Sequence, residues 1–258
     1  MRDNGFWLYG GQSYIAFGRY QTNFVSDPLT LEIGETRKTV MGVGYQAPFG
    51  LSLGYGAFKG DLRQADADSK VKDFVAHVEY GFEKNGFSFS VASSHLSNFY
   101  ETDGVGGYFV ESFAEQDSDF EQKVPASAID LAFGFRGFGI FYESVTALKA
   151  AKQTEIPWMS GEDGAKVSAT SLEVFYGWEY RGLGGSFQLS QQSTNQAVSL
   201  GLPKMRSLVG FTQNLTPNLV MGVEYFVDQD YAASDCGGEV CGSEEKATGS
   251  VINFGLEF

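Results

Sequence analysis

The chain has 258 residues and a net charge of −14, with 33 glycines, 15% aromatic and 19% charged residues. This acidic charge argues against nucleic acid as a partner, because phosphate binding requires patches of lysine and arginine. The apolar runs are far shorter than the roughly 20 residues of a transmembrane helix, but a mean hydropathy of −0.16 is compatible with a transmembrane β-barrel, whose strands expose one residue in two to lipid.

In chain order, apolar residues alternate with small or polar ones in twelve stretches, which predicts twelve β-strands. The strands are expected at 6–20, 36–47, 51–61, 72–83, 87–98, 125–136, 138–148, 167–181, 183–195, 204–214, 219–231 and 248–258. Every second connection is a short turn rich in Gly, Pro or Asn, as hairpins require. The other connections are long and are expected at 21–35, 62–71, 99–124, 149–166, 196–203 and 232–247.

Short and long connections in strict alternation, with an even number of strands, are typical of an outer-membrane barrel with short periplasmic turns and long external loops. We therefore predict that residues 1–258 form one all-β domain, a closed antiparallel transmembrane β-barrel of about 12 strands. Closure also satisfies every backbone N–H and C=O, which the hydrocarbon requires. The predicted location is the bacterial outer membrane, with both termini periplasmic and with membrane lipid and lipopolysaccharide as partners.

One face of the predicted strands is apolar, and the other is small or polar and carries most of the strand charges. The charged residues predicted to line the lumen are Glu79, Asp130, Arg136, Glu143, Glu173, Glu179, Arg206, Glu224 and Glu257. Arg19 is a further candidate. Because acids outnumber bases, such a pore would favour cations; the alternative is that the acids pair with bases and fill the interior. Inward aromatic residues predict a narrow or partly occluded bore. They are Phe58, Phe141, Phe175 and Phe226.

The last predicted strand runs to the end of the chain as VINFGLEF. Its alternation directs one set of residues to lipid, namely Ile252, Phe254, Leu256 and Phe258. The intervening Asn253, Gly255 and Glu257 would face the lumen. We expect this strand to pair with the first and so close the barrel.

The long connection at 21–35 contains the sequence DPLTLEIGE, in which Asp-Pro starts a turn and Gly34 supplies another. One interpretation is a loop that folds inward to constrict the pore or contact a ligand. The residues expected to do so are Asp27, Pro28 and Glu35. The other interpretation is an external loop whose three alternating apolar residues cover the barrel rim. They are Leu29, Leu31 and Ile33.

Cys236 and Cys241 lie five residues apart in DCGGEVCG. We predict a disulfide in a surface loop, which implies an oxidising compartment; two free thiols are the alternative. A metal site would require further ligands, and neither histidine of the chain is nearby in sequence. We therefore expect no metal and no cofactor.

A hydrolase is the least favoured interpretation. In SSHLSNFY, His95 and Ser97 are two residues apart and share the outward face of a predicted strand. A histidine base beside a serine nucleophile is chemically sound and resembles the lipid-facing dyad of outer-membrane phospholipases. An orienting asparagine would have to come from a neighbouring strand, so we do not predict an enzyme.

Several stretches resemble the LbtU-like siderophore porin family. They are FGRYQTNFVSDPLTLEIGETRKT at 17–39, LAFGFRGFGIFYESVTAL, SLGLPKMRSLVGFTQNLTPNLVMGVEYFVDQDY and the terminal INFGLEF. The resemblance implies an outer-membrane porin associated with ferric-siderophore uptake that works without an energy-coupled plug domain. Members of that family are longer than this chain, have more strands and begin with an additional N-terminal segment.

These observations together predict a porin for passive passage of small solutes, with ferric siderophores implied by the resemblance. A structural barrel in a larger surface assembly is the main alternative. An open lumen would favour the porin, whereas a filled lumen would favour the structural barrel.

Overall fold

The structure, a computed structural model, describes residues 4–65, 70–113, 119–159, 163–180 and 183–256. These ranges contain one antiparallel sheet of twelve strands, in which each strand pairs with its neighbours in sequence. The strands are β1 (Gly5–Tyr14), β2 (Arg37–Gln46), β3 (Leu51–Phe58), β4 (Asp73–Lys84), β5 (Phe87–Leu96), β6 (Ala126–Phe135), β7 (Phe138–Ala147), β8 (Ser168–Tyr180), β9 (Leu183–Asn195), β10 (Met205–Thr216), β11 (Leu219–Gln229) and β12 (Lys246–Leu256). The prediction of twelve antiparallel strands is confirmed.

Within the described ranges, helical structure is confined to the long connections. The two α-helices are α1 (Leu29–Gly34) and α2 (Asp103–Phe113). Short 3-10 turns occur at Phe99–Glu101, Val198–Leu200 and Ala233–Cys236. None of the helices in the described ranges has the length and apolar character that crossing a bilayer demands.

The first strand differs most from its predicted bounds, because it ends at Tyr14 rather than at residue 20. Ile15 and Phe17 are buried, so the chain turns away from the sheet directly after β1. Gly18 and Tyr20 then adopt positive φ values of 76° and 52°. Such values break an extended strand, and Gly adopts them without steric cost.

The turn between β6 and β7 corrects one predicted position. Arg136 and Gly137 have φ values of 49° and 88°, as a two-residue hairpin with a primed turn requires. Arg136 is therefore exposed in the turn rather than on the lumen side, and its guanidinium carbon lies 5.1 Å from the ring centroid of Phe135. The predicted strand at 125–136 ended one residue too late and so placed Arg136 on the strand instead of in the turn.

The two faces of the sheet differ as the alternation predicts. On β3, Leu53 and Tyr55 are exposed, whereas Ser52 and Phe58 are buried. We call the side that bears the buried residues the covered face. The end of the sheet with tight turns is the short-turn end, and the opposite end is the long-connection end.

The hydrophobic core lies at the long-connection end. Strand residues near that end contribute Val40, Phe58, Val75, Leu96, Ala126, Val145 and Ala169. The connections contribute Leu29, Ile33, Phe99, Tyr100, Val105, Phe120 and Trp158. We call this cluster the loop core. The long connections therefore pack over and into one end of the sheet instead of extending into solvent.

The outer edges of the sheet are β1 and β12, and no strand ladder joins them within the described residues. Side chains on these two strands are more exposed than their counterparts in the middle of the sheet. Phe6 and Leu8 are each 83% exposed and Phe254 is 64% exposed, compared with 42% for Leu53 and 40% for Leu131. Closure of the sheet into a barrel stays a prediction.

Candidate functional site

The connection between β1 and β2, residues 15–36, lies along the covered face of the sheet, and we call it the inner segment. Its hydrogen bonds reach side chains on β5 to β9 and on β11, and an ion pair reaches β4. Four of these side chains are buried carboxylates, each at most 6% exposed. They are Asp130, Glu143, Glu173 and Glu224.

The first two carboxylates bind the start of the inner segment. The backbone N–H of Arg19 donates to Asp130 Oδ1 at 3.1 Å and to Glu143 Oε1 at 2.8 Å. The N–H of Tyr20 donates to the same Glu143 oxygen at 3.1 Å. Thr30 Oγ1, in α1, donates to the other oxygen of Glu143 at 2.6 Å. Glu143 therefore joins the beginning of the segment to its helix.

Arg19 supplies the positive charge at this point. Its Nη1 lies 3.0 Å from Glu79 Oε1 and donates to Ser90 Oγ at 2.9 Å. The side chains of Arg19 and Glu79 are 28% and 36% exposed, so this ion pair borders open space and is not part of the loop core.

Glu173 binds the middle of the inner segment. Its carboxylate accepts the N–H of Asn23 at 3.0 Å, the side-chain amide of Asn23 at 2.6 Å and the hydroxyl of Thr22 at 2.7 Å. Asn23 O in turn accepts a hydrogen bond from Gln188 on β9 at 3.1 Å. Both polar groups of the Asn23 backbone thus contact the sheet.

Glu224 binds the end of the segment that precedes α1. It accepts the N–H of Val25, and its Oε2 accepts the N–H and the hydroxyl of Ser26 at 3.1 and 2.8 Å. The N–H of Leu29, the first residue of α1, donates to Gln192 Oε1 at 2.9 Å. Acceptors on the sheet therefore bind the inner segment at intervals from Gly18 to Thr30.

These contacts explain why so many acids are tolerated on the covered face. A buried carboxylate is costly unless hydrogen bonds or an opposite charge compensate it. Backbone N–H groups and hydroxyls of the inner segment supply most of that compensation, and Arg19 supplies a charge nearby. The segment and the four carboxylates consequently stabilise each other, and each would be poorly satisfied without the other.

The three residues predicted to constrict the pore or contact a ligand lie around α1. Asp27 is exposed, Pro28 is buried at the N-terminus of the helix, and Glu35 is half-buried. The carbonyl of Glu35 accepts the N–H of Asp103 at 2.7 Å, which ties α1 to α2. Burial raises the pKa of Glu35, and the carboxylates of Asp103 and Asp27 raise it further.

The remaining predicted lumen residues do not contact the inner segment through a hydrogen bond or ion pair in the described part of the chain. Glu179 is exposed near the short-turn end. Arg206 makes a two-point ion pair with Asp228, with both distances 2.8 Å, and its guanidinium lies 5.5 Å from the ring centroid of Phe226. Glu257 lies outside the described residues.

The inward phenylalanines divide between two environments. Phe58 is 1% exposed and belongs to the loop core. Phe141 and Phe175 pair with ring centroids 4.9 Å apart. The ring of Phe175 lies over Gly139, where a Cβ would overlap it, so the aromatic ring lies flat against the sheet.

Below the inner segment, towards the short-turn end, is a cavity of about 860 Å³. Strands β1, β3, β4, β5 and β6 line it together with the start of the inner segment. Its lining includes Trp7, Tyr9, Arg19, Ser52, His77, Glu79, Ser94 and Asp130. The interior is thus filled at one end and hollow at the other.

The other sequence-based candidates lie away from this cavity. Cys236 and Cys241 form a disulfide with Cα atoms 6.2 Å apart in the connection between β11 and β12. The hydroxyl of Ser97 donates to Asp73 Oδ1 at 2.9 Å. The ring of His95 packs on Phe74, with centroids 5.8 Å apart.

Sequence reasoning missed two functional positions on β9. Gln188 and Gln192 are 1% and 2% exposed, and both hydrogen-bond the inner segment. The pattern FQLSQQ does carry a signal, because Gln188 and Gln192 are four residues apart and therefore share the covered face, opposite Phe187 and Leu189. The identity of their partner could not be predicted, because the inner segment is remote in sequence.

No family model matches the chain. It is 23% identical over 227 residues to a UPF0422 protein of Coxiella burnetii, and 26% identical over 238 residues to UPF0422 protein lpl2888 of Legionella pneumophila. Each match covers 86% of this chain but only 47% and 43% of those relatives. The chain thus spans less than half the length of these curated relatives. The resemblance to LbtU-like siderophore porins is not confirmed.

Two solved structures have the same fold over most of the chain. The outer membrane channel DcaP of Acinetobacter baumannii matches with a TM-score of 0.55 and 12% identity, covering 96% of this chain and 71% of that one. An anion-selective porin from Comamonas acidovorans matches with a TM-score of 0.51 and 12% identity, covering 87% and 60%. The chain therefore has the fold of outer-membrane porins.

Proposed function

We propose that this protein is an outer-membrane channel for small solutes, in a state that the inner segment and the loop core close at the long-connection end. The observation that carries the proposal is the hollow cavity, lined by both polar and aromatic side chains, that ends on the inner segment within a porin fold. A channel needs such a water-accessible interior, and an internal segment is a direct means of controlling access to it.

The exposed face of the sheet supports a membrane location. Its strands present large apolar side chains to the outside, which include Leu53, Tyr55, Val78, Leu131, Leu172, Leu189 and Phe211. Soluble proteins rarely expose apolar patches of such extent. Alternating apolar-out and polar-in residues are what a transmembrane barrel requires.

The proposal includes closure of the sheet by β1 and β12. The two strands run antiparallel, because each pairs antiparallel with its neighbour through an odd number of steps. Phe6 and Leu8 on β1 and Ile252 and Phe254 on β12 are all exposed, so closure would align them in one lipid-facing belt. In hydrocarbon, unpaired edges are strongly disfavoured.

Solutes can pass through the proposed channel only if the inner segment moves. Hydrogen bonds, one ion pair and apolar packing, such as that of Phe24 over Gly210, hold the segment on the sheet. None of these contacts is covalent, so the segment can leave the covered face without a covalent change. Displacing residues 19–28 would connect the cavity with the long-connection end and expose the four carboxylates to the solute path. Preference for cations and passage of ferric siderophores stay predictions.

A structural barrel is the second candidate, and the loop core favours it. A core with Leu29, Ile33, Phe99 and Tyr100 at 1% exposure or less is well packed and resists opening. Under this alternative the inner segment is a permanent part of the fold.

Liposome swelling distinguishes the two functions. Reconstituted protein should admit small neutral solutes, and a variant in which a Gly-Ser linker replaces residues 19–28 should admit them faster and should accept larger ones. Gel mobility should first show that both proteins are folded. If neither of them then admits any solute at high protein density, the channel proposal is wrong and the structural barrel is favoured.

A further inference from the structure

The cavity below the inner segment has an aromatic wall on β1. Trp7 and Tyr9 lie on the same face of the strand, with ring centroids 5.3 Å apart. Trp7 lies over Gly44 and Tyr9 over Gly42, at positions where a Cβ would overlap the rings. The glycines thus let both rings lie flat against the sheet and present a face to the cavity.

A polar wall faces the same space. Glu79 and Arg19 form an ion pair at 3.0 Å, and Arg19 also donates to Ser90. The hydroxyl of Ser94 accepts the N–H of Gly18 at 3.0 Å and can donate its own proton. Carboxylate, guanidinium and hydroxyl groups therefore offer acceptors and donors side by side.

Each charged group along this wall has a partner within the protein. Arg19 balances Glu79, and Asp130 accepts the backbone N–H of Arg19. An ion would gain little from a wall whose charges already have partners. A neutral solute with many hydroxyl groups can use both donors and acceptors without the desolvation cost of a charge.

We infer that this cavity binds an uncharged polyhydroxylated solute with an apolar ring face, such as a small saccharide. The ring face would lie on Trp7 and Tyr9, and the hydroxyls would bond to Arg19, Glu79 and Ser94. The volume of about 860 Å³ falls in the range of small-molecule sites, roughly 300–1,000 Å³. The inference rests on the proposed channel only in that it places the cavity within the channel's lumen.

Titration calorimetry of the refolded full chain tests the binding. The detergent must be a polyoxyethylene, because alkyl glycosides carry sugar headgroups. The probes are maltose, sucrose and cellobiose, with choline chloride and sodium sulfate as charged comparisons. We expect saturable binding of at least one disaccharide and none of the two salts.

Four variants assign that binding to the cavity. Trp7→Ala and Glu79→Gln should weaken it at least tenfold, and Trp7→Tyr should retain it. Trp178→Ala is the matched control, because Trp178 also lies over a glycine but is not in the lining of the cavity as described; it should bind within twofold of the parent. Gel mobility with and without heating verifies that each variant is folded.

Absence of saturable disaccharide binding by the parent overturns the inference, as does equal binding by Trp7→Ala and the parent. Tighter binding of choline or sulfate than of every disaccharide shows that the ligand class is wrong. Sugar binding without liposome swelling supports the cavity site and contradicts the channel. Swelling without sugar binding does the reverse.

Discussion

Glu173 accepts hydrogen bonds from both the backbone N–H and the side-chain amide of Asn23, at 3.0 and 2.6 Å, although the two residues are 150 positions apart. This relationship joins the connection after the first strand to the eighth strand. Because Glu173 is 2% exposed, hydrogen bonds from the inner segment must replace the water that its carboxylate would otherwise bind. The state of the interior therefore depends on whether these two residues remain in contact.

Replacing Glu173 by Met should open the channel more often. Methionine has a similar size but no carboxylate, so the donors of Thr22 and Asn23 lose their acceptor on the sheet. An unsatisfied buried donor costs about 1–3 kcal/mol, and about 1.4 kcal/mol is a tenfold change in an equilibrium. We expect the open probability in planar bilayers to rise about tenfold or more.

Glu179→Met is the matched control, because Glu179 is on the same strand and face but is exposed near the short-turn end. Its open probability should equal that of the parent. An equal increase in both variants would mean that loss of negative charge, and not release of the segment, controls opening.

Closure of the barrel predicts a cross-link between the edge strands. Leu8→Cys combined with Ile252→Cys or with Phe254→Cys, in a chain carrying Cys236→Ser and Cys241→Ser, should give an intramolecular disulfide in at least one pair. The reason is that neighbouring antiparallel strands bring side chains on one face within about 5.5 Å. Electrophoresis without reductant detects it as a monomer of altered mobility. A product of dimer size alone would show that the edges pair between copies.

The free energy of unfolding should depend on pH through Glu101, a buried residue that follows Tyr100 of the loop core. Burial raises the pKa of Glu101, and Lys38, 3.0 Å away, only partly opposes this. Its Oε1 has no hydrogen-bond partner among the described residues. Because the native state holds the proton more tightly than the unfolded chain, the stabilisation is complete below the ordinary pKa and is lost as the pH rises through the raised value.

We therefore expect the melting temperature in detergent to fall between pH 4.5 and pH 7.5, and Glu101→Gln to reduce that fall. Glu111→Gln, on the exposed side of α2, is the control and should leave the slope unchanged. A slope that is identical in Glu101→Gln and the parent would contradict a raised pKa at this position.

Gly44, the glycine that the Trp7 ring covers, should be required for the shape of the cavity. A Cβ at Gly44 would overlap the Trp7 ring, so Gly44→Ala must push the ring into the cavity or distort the sheet. Overpacking of this kind costs about 1–3 kcal/mol, which should lower the melting temperature and shift the tryptophan emission. Gly177→Ala, whose Cβ would meet only ordinary contacts at 3.7 and 3.8 Å, should leave both measurements unchanged.

The strands could be predicted because their evidence is local. Alternation along β4, or the Asn85–Gly86 turn that follows it, requires only a few adjacent residues to recognise. The position of Glu173 on the covered face follows from the same alternation. The alternation of short and long connections could also be predicted, because the length of each connection follows from the bounds of the two strands that it joins.

The inner segment could not be predicted, because its energetics are not local. The sequence QTNFVSD gives no sign that its Thr22 and Asn23 donate to Glu173, or that its Ser26 donates to Glu224. Both acceptors lie on strands more than a hundred residues away. Two interpretations of DPLTLEIGE were open, and the structure contains elements of both: Leu29 and Ile33 are fully buried in the loop core, while Thr30 bonds Glu143. The inner segment thus buries its apolar residues in the loop core and narrows the interior at the same time.

The most direct test of the account is the conductance of a channel whose inner segment can be locked. Ser26→Cys and Glu224→Cys, in the chain without the native cysteines, place two thiols where a hydroxyl and a carboxylate oxygen are 2.8 Å apart. A short reducible cross-linker should hold the segment on the sheet. We predict no openings in planar bilayers while the link is intact and clear openings in the same bilayer after reduction. Equal conductance before and after reduction would contradict the central claim that the inner segment closes the channel.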